Sequence, residues 1–308
     1  MSKSPDFIII GAMKCATTTL HEQLAAQPGI FMTEPKEPNF FSNDEIYHQG
    51  WQWYQSLYAE AQPTDLCGES STHYTKLPTY PKTIKRLLRH VPNAKFIYVM
   101  RDPVDRLVSQ YIHEWTQRRI SSDINQAIYE FPPLIEYSRY SMQLAPYFRA
   151  FGPERVLPVF LEKLQSNPQA ELERICRFIG YGQHPIWNSD LAQQHVSSAR
   201  TRKSAWRDAL VEAPGLRQVR RTVVPKPVRN WVRSWWQMKQ RPELSPKALL
   251  YIKTVLDKDL NILGNWLGLD LNCDTFKQSV LNSPEHWINA TQLAPKGSNK
   301  GSNKEAVR

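Results

Sequence analysis

Lys14 stands three residues beyond Gly11 and three before the run Thr17, Thr18 and Thr19, within the stretch DFIIIGAMKCATTTLHEQL, residues 6–24. An ammonium and several hydroxyls gathered where a chain turns from strand to helix join backbone N–H groups that face outward at a helix start. Together they make an anion site suited to a phosphate or phosphosulfate group. A second pair is Arg101 and Ser109, eight residues apart in VMRDPVDRLVSQY. A guanidinium fork and a hydroxyl can hold another anion from two directions. Two such sites on one chain point to a ligand carrying two separated anionic groups.

The elements around these residues read as α/β. The β-branched run Phe7 to Ile10 stops at Gly11, and a helical segment takes over by Thr19. In the second unit, Lys95 to Met100 reads as a strand, with Asp102 as N-cap and Pro103 in the first helical turn. A third unit places a strand at Val156 to Phe160 and a helix from about Pro168 to near Gly180. A further short strand runs through DLCGESSTHY into a loop. Strands alternating with helices imply a parallel sheet covered on both faces. Arg101 then leaves the end of a strand expected beside the first.

The chain of 308 residues is 41% hydrophobic, which is ample for a packed core, and one domain over 1–293 is expected. Within it the two anion motifs lie in 6–115, and a basic, mostly helical part occupies 200–272. The 39 Lys and Arg against 29 Asp and Glu give a net charge of +10 and a pI near 9.4, which favours an anionic partner. Nucleic acid, phosphorylated cofactor, acidic glycan and acidic lipid all satisfy that balance. Cys15, Cys67, Cys176 and Cys273 lie far apart with no metal-ligand spacing, so a reducing compartment is expected. No segment resembles a leader or approaches the roughly 18 apolar residues of a membrane span, and the expectation is a soluble cytoplasmic protein.

The first loop is a poor match to two common nucleotide motifs. It lacks the second glycine and Gly-Lys-Ser/Thr ending of a Walker A loop, and it lacks G-x-G-x-x-G. A triphosphate with Mg²⁺ is not its natural guest.

Together, IIIGAMKCATTTL and VMRDPVDRLVSQY resemble the 5′-phosphosulfate loop and the 3′-phosphate motif of sulfotransferases that use 3′-phosphoadenosine 5′-phosphosulfate (PAPS). The branch resembled includes the heparan sulfate sulfotransferases and bacterial relatives. EPKEPNFF, WYQSLY, GESSTHY, FGPERVLPVFLEKL and CRFIGY follow in the family's order, so the likeness spans residues 6 to about 181. It implies a P-loop-like three-layer α/β fold with a central parallel sheet, PAPS as donor, no metal, and transfer of a sulfuryl group to a hydroxyl or amine. The implied acceptor is a small molecule or glycan, carbohydrate or glycolipid-like, rather than nucleic acid.

By the same resemblance, Lys14 contacts the transferring sulfuryl and the bridging oxygen. Cys15, Ala16, Thr17 and Thr18 cradle the 5′-phosphate, and Arg101 and Ser109 bind the 3′-phosphate. Glu37 falls where glycan O-sulfotransferases carry a catalytic carboxylate. His113 falls where the N-sulfotransferases place a histidine proposed to act in catalysis. These two are the candidate bases, with His73 a third. Three departures stand out. Ser70 occupies a position where the O-sulfotransferases have lysine, and Cys15 replaces a loop glycine. The late nucleotide-closing loop has its nearest counterpart in SSARTRKS, with Arg200, Arg202 or Lys203 as its cations.

Residues 215–241 carry eight Lys and Arg, no acid, and Trp231, Trp235 and Trp236 at helical spacing. They read either as a helix packed through its tryptophans or as a basic amphipathic surface for peripheral contact with a membrane or an acidic glycan. The tail 294–308, with its Lys, Gly, Ser and Asn repeat, reads as disordered. Trp51, Trp53, Trp115, Trp187, Tyr137 and Tyr140 are aromatics that can stack on sugar rings or fill the core. A small-molecule kinase and a non-catalytic basic binder of glycan or nucleic acid are the alternative functions; the oligomeric state has no signature in the sequence.

Overall fold

The computed structural model describes residues 3–193 and 241–290. Five strands form one parallel sheet: β1 (Phe7–Gly11), β2 (Ile30–Met32), β3 (Leu66–Ser70), β4 (Lys95–Met100) and β5 (Val156–Phe160), in the spatial order β2-β3-β1-β4-β5. Phe7 to Ile10 and Phe96 to Met100 are wholly buried, as expected of central strands covered on both faces. The expected neighbourhood of the first strand and the Arg101 strand is present, since β1 pairs directly with β4.

The order of the strands sets where the two anion motifs meet. The chain leaving β1 enters α1 (Thr17–Ala25), which packs toward β2 and β3. The chain leaving β4 enters α5 (Pro103–Thr116) and goes on to β5 on the other side. Because the two connections diverge, the carboxyl ends of β1 and β4 form the topological switch point of the sheet, the place where open α/β sheets bind ligands.

Local chemistry fixes the start of α5. The Asp102 carboxylate accepts the Asp105 N–H at 2.8 Å, and Pro103 takes the first turn, where no N–H is needed. The Asp102 N–H in turn donates to Glu162 Oε1 at 2.8 Å, tying this cap to the chain just after β5. Between these units come α2 (Asp44–Tyr47), α3 (Gly50–Ser56), a 3₁₀ turn (Thr72–Thr75) and α4 (Thr83–His90). After α5 follow α6 (Ile124–Glu130), α7 (Pro133–Glu136), α8 (Tyr140–Phe151), α9 (Leu161–Ser166), α10 (Pro168–Ile179) and α11 (Ser189–Gln193).

The C-terminal helix α12 (Pro246–Leu267) is held to this body by Asp259, whose buried carboxylate accepts from Ser141 N (2.9 Å), Ser141 Oγ (2.6 Å) and Met142 N (3.0 Å) at the start of α8. A short helix α13 (Phe276–Ser279) follows. Among the described residues no helix is long and apolar enough to cross a membrane. The basic tryptophan-rich stretch up to residue 240 and the tail 294–308 lie outside the described residues, so the expectations placed on them do too.

Candidate active site

Between Gly11 and α1, Lys14 and Ala16 both adopt left-handed backbone, with φ of 70° and 60°. Left-handed residues in such a turn curl the chain so that its N–H groups face one concavity. The Ala12 N–H is bonded to Val99 O at 2.7 Å. Those of Lys14, Ala16, Thr17 and Thr18 donate to no acceptor among the described residues. Of the expected cradle, the Cys15 N–H is bonded to Ala12 O at 3.2 Å, whereas the Lys14 N–H stands among the free donors. The Cys15 side chain is fully buried and its thiol is pushed up to about 12 by that burial, so it acts as a small spacer rather than a reactive group.

Arg101 joins the second motif to this loop. Its Nη1 donates to the Lys14 carbonyl oxygen at 3.3 Å. Its own carbonyl accepts the Tyr140 hydroxyl at 2.7 Å, so both ends of the residue are held. The guanidinium also lies 3.8 Å from Asp105, a carboxylate shared with Lys277 at 2.7 Å and with Arg241. Ser109 is partly buried two turns along α5.

The two leading candidates for the base come from different elements. Glu37, on the loop after β2, has φ of 62° and donates its N–H to Ser70 O at 2.9 Å, which brings it to the end of β3. Its carboxylate accepts from Lys36 Nζ at 3.0 Å and Thr72 Oγ1 at 3.2 Å. Burial pushes its pKa up, but Lys36, Lys76 and His73 outweigh that and hold it below the usual range. His113, on α5, is held below the ordinary histidine value, first by burial and then by the Lys14 charge. Glu37 in turn counteracts the burial that lowers Lys14. Lys14, Glu37 and His113 therefore share one electrostatic environment.

His73 belongs to the same region, stacked on Tyr80 with centroids 4.7 Å apart and lowered to about 4, chiefly by burial. Ser70, where the resemblance leads one to expect lysine, bonds through Oγ to His21 Nδ1 at 2.9 Å. Arg200, Arg202 and Lys203, the candidates for the late loop, lie outside the described residues. Of the aromatics considered for stacking on sugars, Tyr140 and Tyr137 are buried, and Trp51 stacks on His90 with centroids 4.6 Å apart. These are packing residues. Trp53, Trp115 and Trp187 are partly buried against the core.

Lys76, which the sequence reading did not single out, shares the electrostatic environment of the two candidate bases. It follows the 3₁₀ turn, is 9% exposed, and acts on both Glu37 and His113. The only signal in the sequence was a lysine among aromatic and apolar neighbours in THYTKLPTY.

Residues 52–185 match the model of the sulfotransferase family. That part of the chain is similar to the family. It is 28% identical over 200 residues to the human bifunctional heparan sulfate N-deacetylase/N-sulfotransferase 2, covering 57% of this chain and 22% of that protein. It is 29% identical over 185 residues to mouse heparan sulfate glucosamine 3-O-sulfotransferase 3B1, covering 57% of this chain and 46% of that one. The chain thus spans less than half the length of these curated relatives. Among solved structures, a sulfotransferase from Alicyclobacillus acidocaldarius superposes with a TM-score of 0.52 at 25% identity, covering 62% of this chain and 90% of that one. In this chain both anion motifs lie at the carboxyl ends of the neighbouring strands β1 and β4.

Proposed function

We infer that this chain transfers a sulfuryl group from PAPS to a hydroxyl or amine acceptor, with a carbohydrate or glycolipid-like molecule as the acceptor class. The observation that carries the reading is the 3.3 Å hydrogen bond from Arg101 to the Lys14 carbonyl, which couples the two anion motifs. A donor with phosphate groups on both its 5′ and 3′ positions needs two such motifs together. The free N–H groups of the first loop fit the donor's 5′ end, and the partly exposed Arg101 guanidinium fits its 3′-phosphate.

PAPS supplies an activated sulfuryl group with a phosphate as its leaving group. The protein's own part is positioning and electrostatics. Lys14 and the start of α1 offset negative charge at the leaving oxygen. Arg101 and Ser109 bind the 3′-phosphate and so select this nucleotide over simple adenylates. Glu37 or His113 accepts the proton that the acceptor loses as it attacks. A sulfuryl group carries less charge than a phosphoryl group, and the reading assigns its neutralisation to side chains rather than to a metal. The four buried, unpaired cysteines support a reducing, cytoplasmic setting as part of this reading.

The test is release of 3′-phosphoadenosine 5′-phosphate (PAP) from PAPS in the presence of a panel of amino sugars, uronate-containing oligosaccharides and glycolipids. Acceptor-dependent release that is lost in Lys14→Ala supports the reading. Absence of release with every acceptor, together with absence of PAPS binding, would contradict it.

A further inference from the structure

Lys76 is a buried cation with no ion-pair partner among the described residues. No ion pair or hydrogen bond engages its Nζ among the described residues; its nearest assigned contact is the Tyr137 ring, 5.9 Å away. Burial lowers the ammonium to about 8, with Glu37 and then Glu114 opposing the shift. An uncompensated ammonium that is nine-tenths buried is costly, and proteins keep such groups chiefly where a ligand supplies the missing charge.

Its backbone is anchored close to the anion loop. The preceding residue, Thr75, donates its hydroxyl to Ile10 O at 2.6 Å, in the last turn of chain before the anion loop. Thr75 also closes over Gly11, where an added Cβ would lie 2.1 Å from Thr75 Oγ1. Lys76 therefore leaves the chain beside the root of the loop that carries Lys14. Glu37, Glu114 and His113 each act electrostatically on, or are acted on by, both Lys14 and Lys76. The candidate bases thus stand in the field of two lysines from different elements. Ser70, by contrast, carries no charge and is occupied with His21.

The geometry points to Lys76 as a second catalytic cation, one that contacts the transferring sulfuryl group alongside Lys14 and supplies from the 3₁₀ turn the charge that Ser70 does not. This rests on the sulfuryl-transfer reading above. Its particular content is that Lys76 recognises the sulfuryl group and not the nucleotide.

PAPS and PAP differ in that group alone, so paired calorimetric titrations separate the cases. In Lys76→Met the expected result is about tenfold weaker PAPS binding with unchanged PAP binding, and turnover lower on the order of 10²-fold. Lys76→Arg, which restores the charge, is expected to recover a substantial part of the PAPS affinity. Thermal unfolding gives an independent readout. Methionine in place of an unpartnered buried ammonium is expected to leave stability unchanged or raised, so lost affinity does not reflect a damaged fold. Equal loss of PAPS and PAP binding, or a large drop in melting temperature, would make Lys76 structural and overturn the assignment. Unchanged PAPS affinity and turnover would overturn it as well. Wild-type protein that binds neither nucleotide would instead refute the sulfuryl-transfer reading, and the assignment with it.

Discussion

The Arg101 guanidinium donates a hydrogen bond to the main-chain oxygen of Lys14 at 3.3 Å, across 87 residues of sequence. That contact makes one site of two motifs that the chain keeps far apart. It is possible because β1 and β4 are direct neighbours and each motif begins where its strand ends.

Lys14 is expected to act on the reacting group more than on the fold. Lys14→Ala should lower turnover on the order of 10²- to 10³-fold while leaving the denaturation midpoint within the range of an ordinary surface change. Steady-state kinetics beside a urea titration measures both.

The base is assigned by comparing Glu37→Gln with His113→Ala. One of the two is expected to lose turnover by roughly 10²- to 10⁴-fold with nucleotide binding intact. The pH profile identifies it independently, because a base must be unprotonated and both groups are shifted downward. With His113 as base, activity falls with acid only below the ordinary histidine value of 6.5. With Glu37 as base, it falls only below 4.5. Unchanged turnover in both variants would exclude both.

Glu69 should make stability depend on pH. It is fully buried on β3, and burial raises its carboxyl from 4.5 to about 8, partly offset by the Tyr74 and Tyr54 hydroxyls. Between those values the folded state holds a proton that the unfolded chain has released. Its stabilising contribution is complete below about 4.5 and is lost as pH rises toward 8. Glu69→Gln should flatten that decline and gain a few kcal/mol near pH 8, as read from denaturant midpoints across the interval.

Gly11 is predicted to tolerate no side chain. Its φ of 149° and the 2.1 Å approach of a Cβ to Thr75 Oγ1 combine backbone strain with overpacking. Gly11→Ala should destabilise the protein by about 2–5 kcal/mol. Because Thr75 anchors Lys76, it should also weaken PAPS binding.

The four thiols provide a check on packing around the loop. Cys15, Cys67, Cys176 and Cys273 are all buried, so a thiol reagent should react with none of them in the native protein and with all four after denaturation. Fast native reaction at Cys15 would contradict its role as an inert spacer.

Much of this architecture was legible where one short segment carries its own signal. Phe7–Gly11, Lys95–Met100 and Val156–Phe160 are apolar runs that read as buried strands, the first two central in the sheet and the third at its edge. Asp102-Pro103 announces a helix start, and Gly180 ends α10 in the left-handed conformation. The three-residue edge strand Ile30–Met32 was not legible, because so short a run has no periodicity. Nor was Lys76. It is buried with its ammonium over the Tyr137 ring, 61 residues on in the chain, and a charge covered by distant residues looks in sequence like any surface lysine. Tyr140 went the other way: an aromatic considered for ligand contact is instead an internal strut whose hydroxyl fixes Arg101.

The most direct measurement of the central claim is a calorimetric titration of the protein with PAP, using 5′-AMP as control and no added metal. PAP should bind at least tenfold more tightly than 5′-AMP, and Arg101→Ala should abolish that difference. Equal affinities for the two nucleotides, or binding of neither, would contradict the assignment of the two coupled motifs to a 3′-phosphorylated donor.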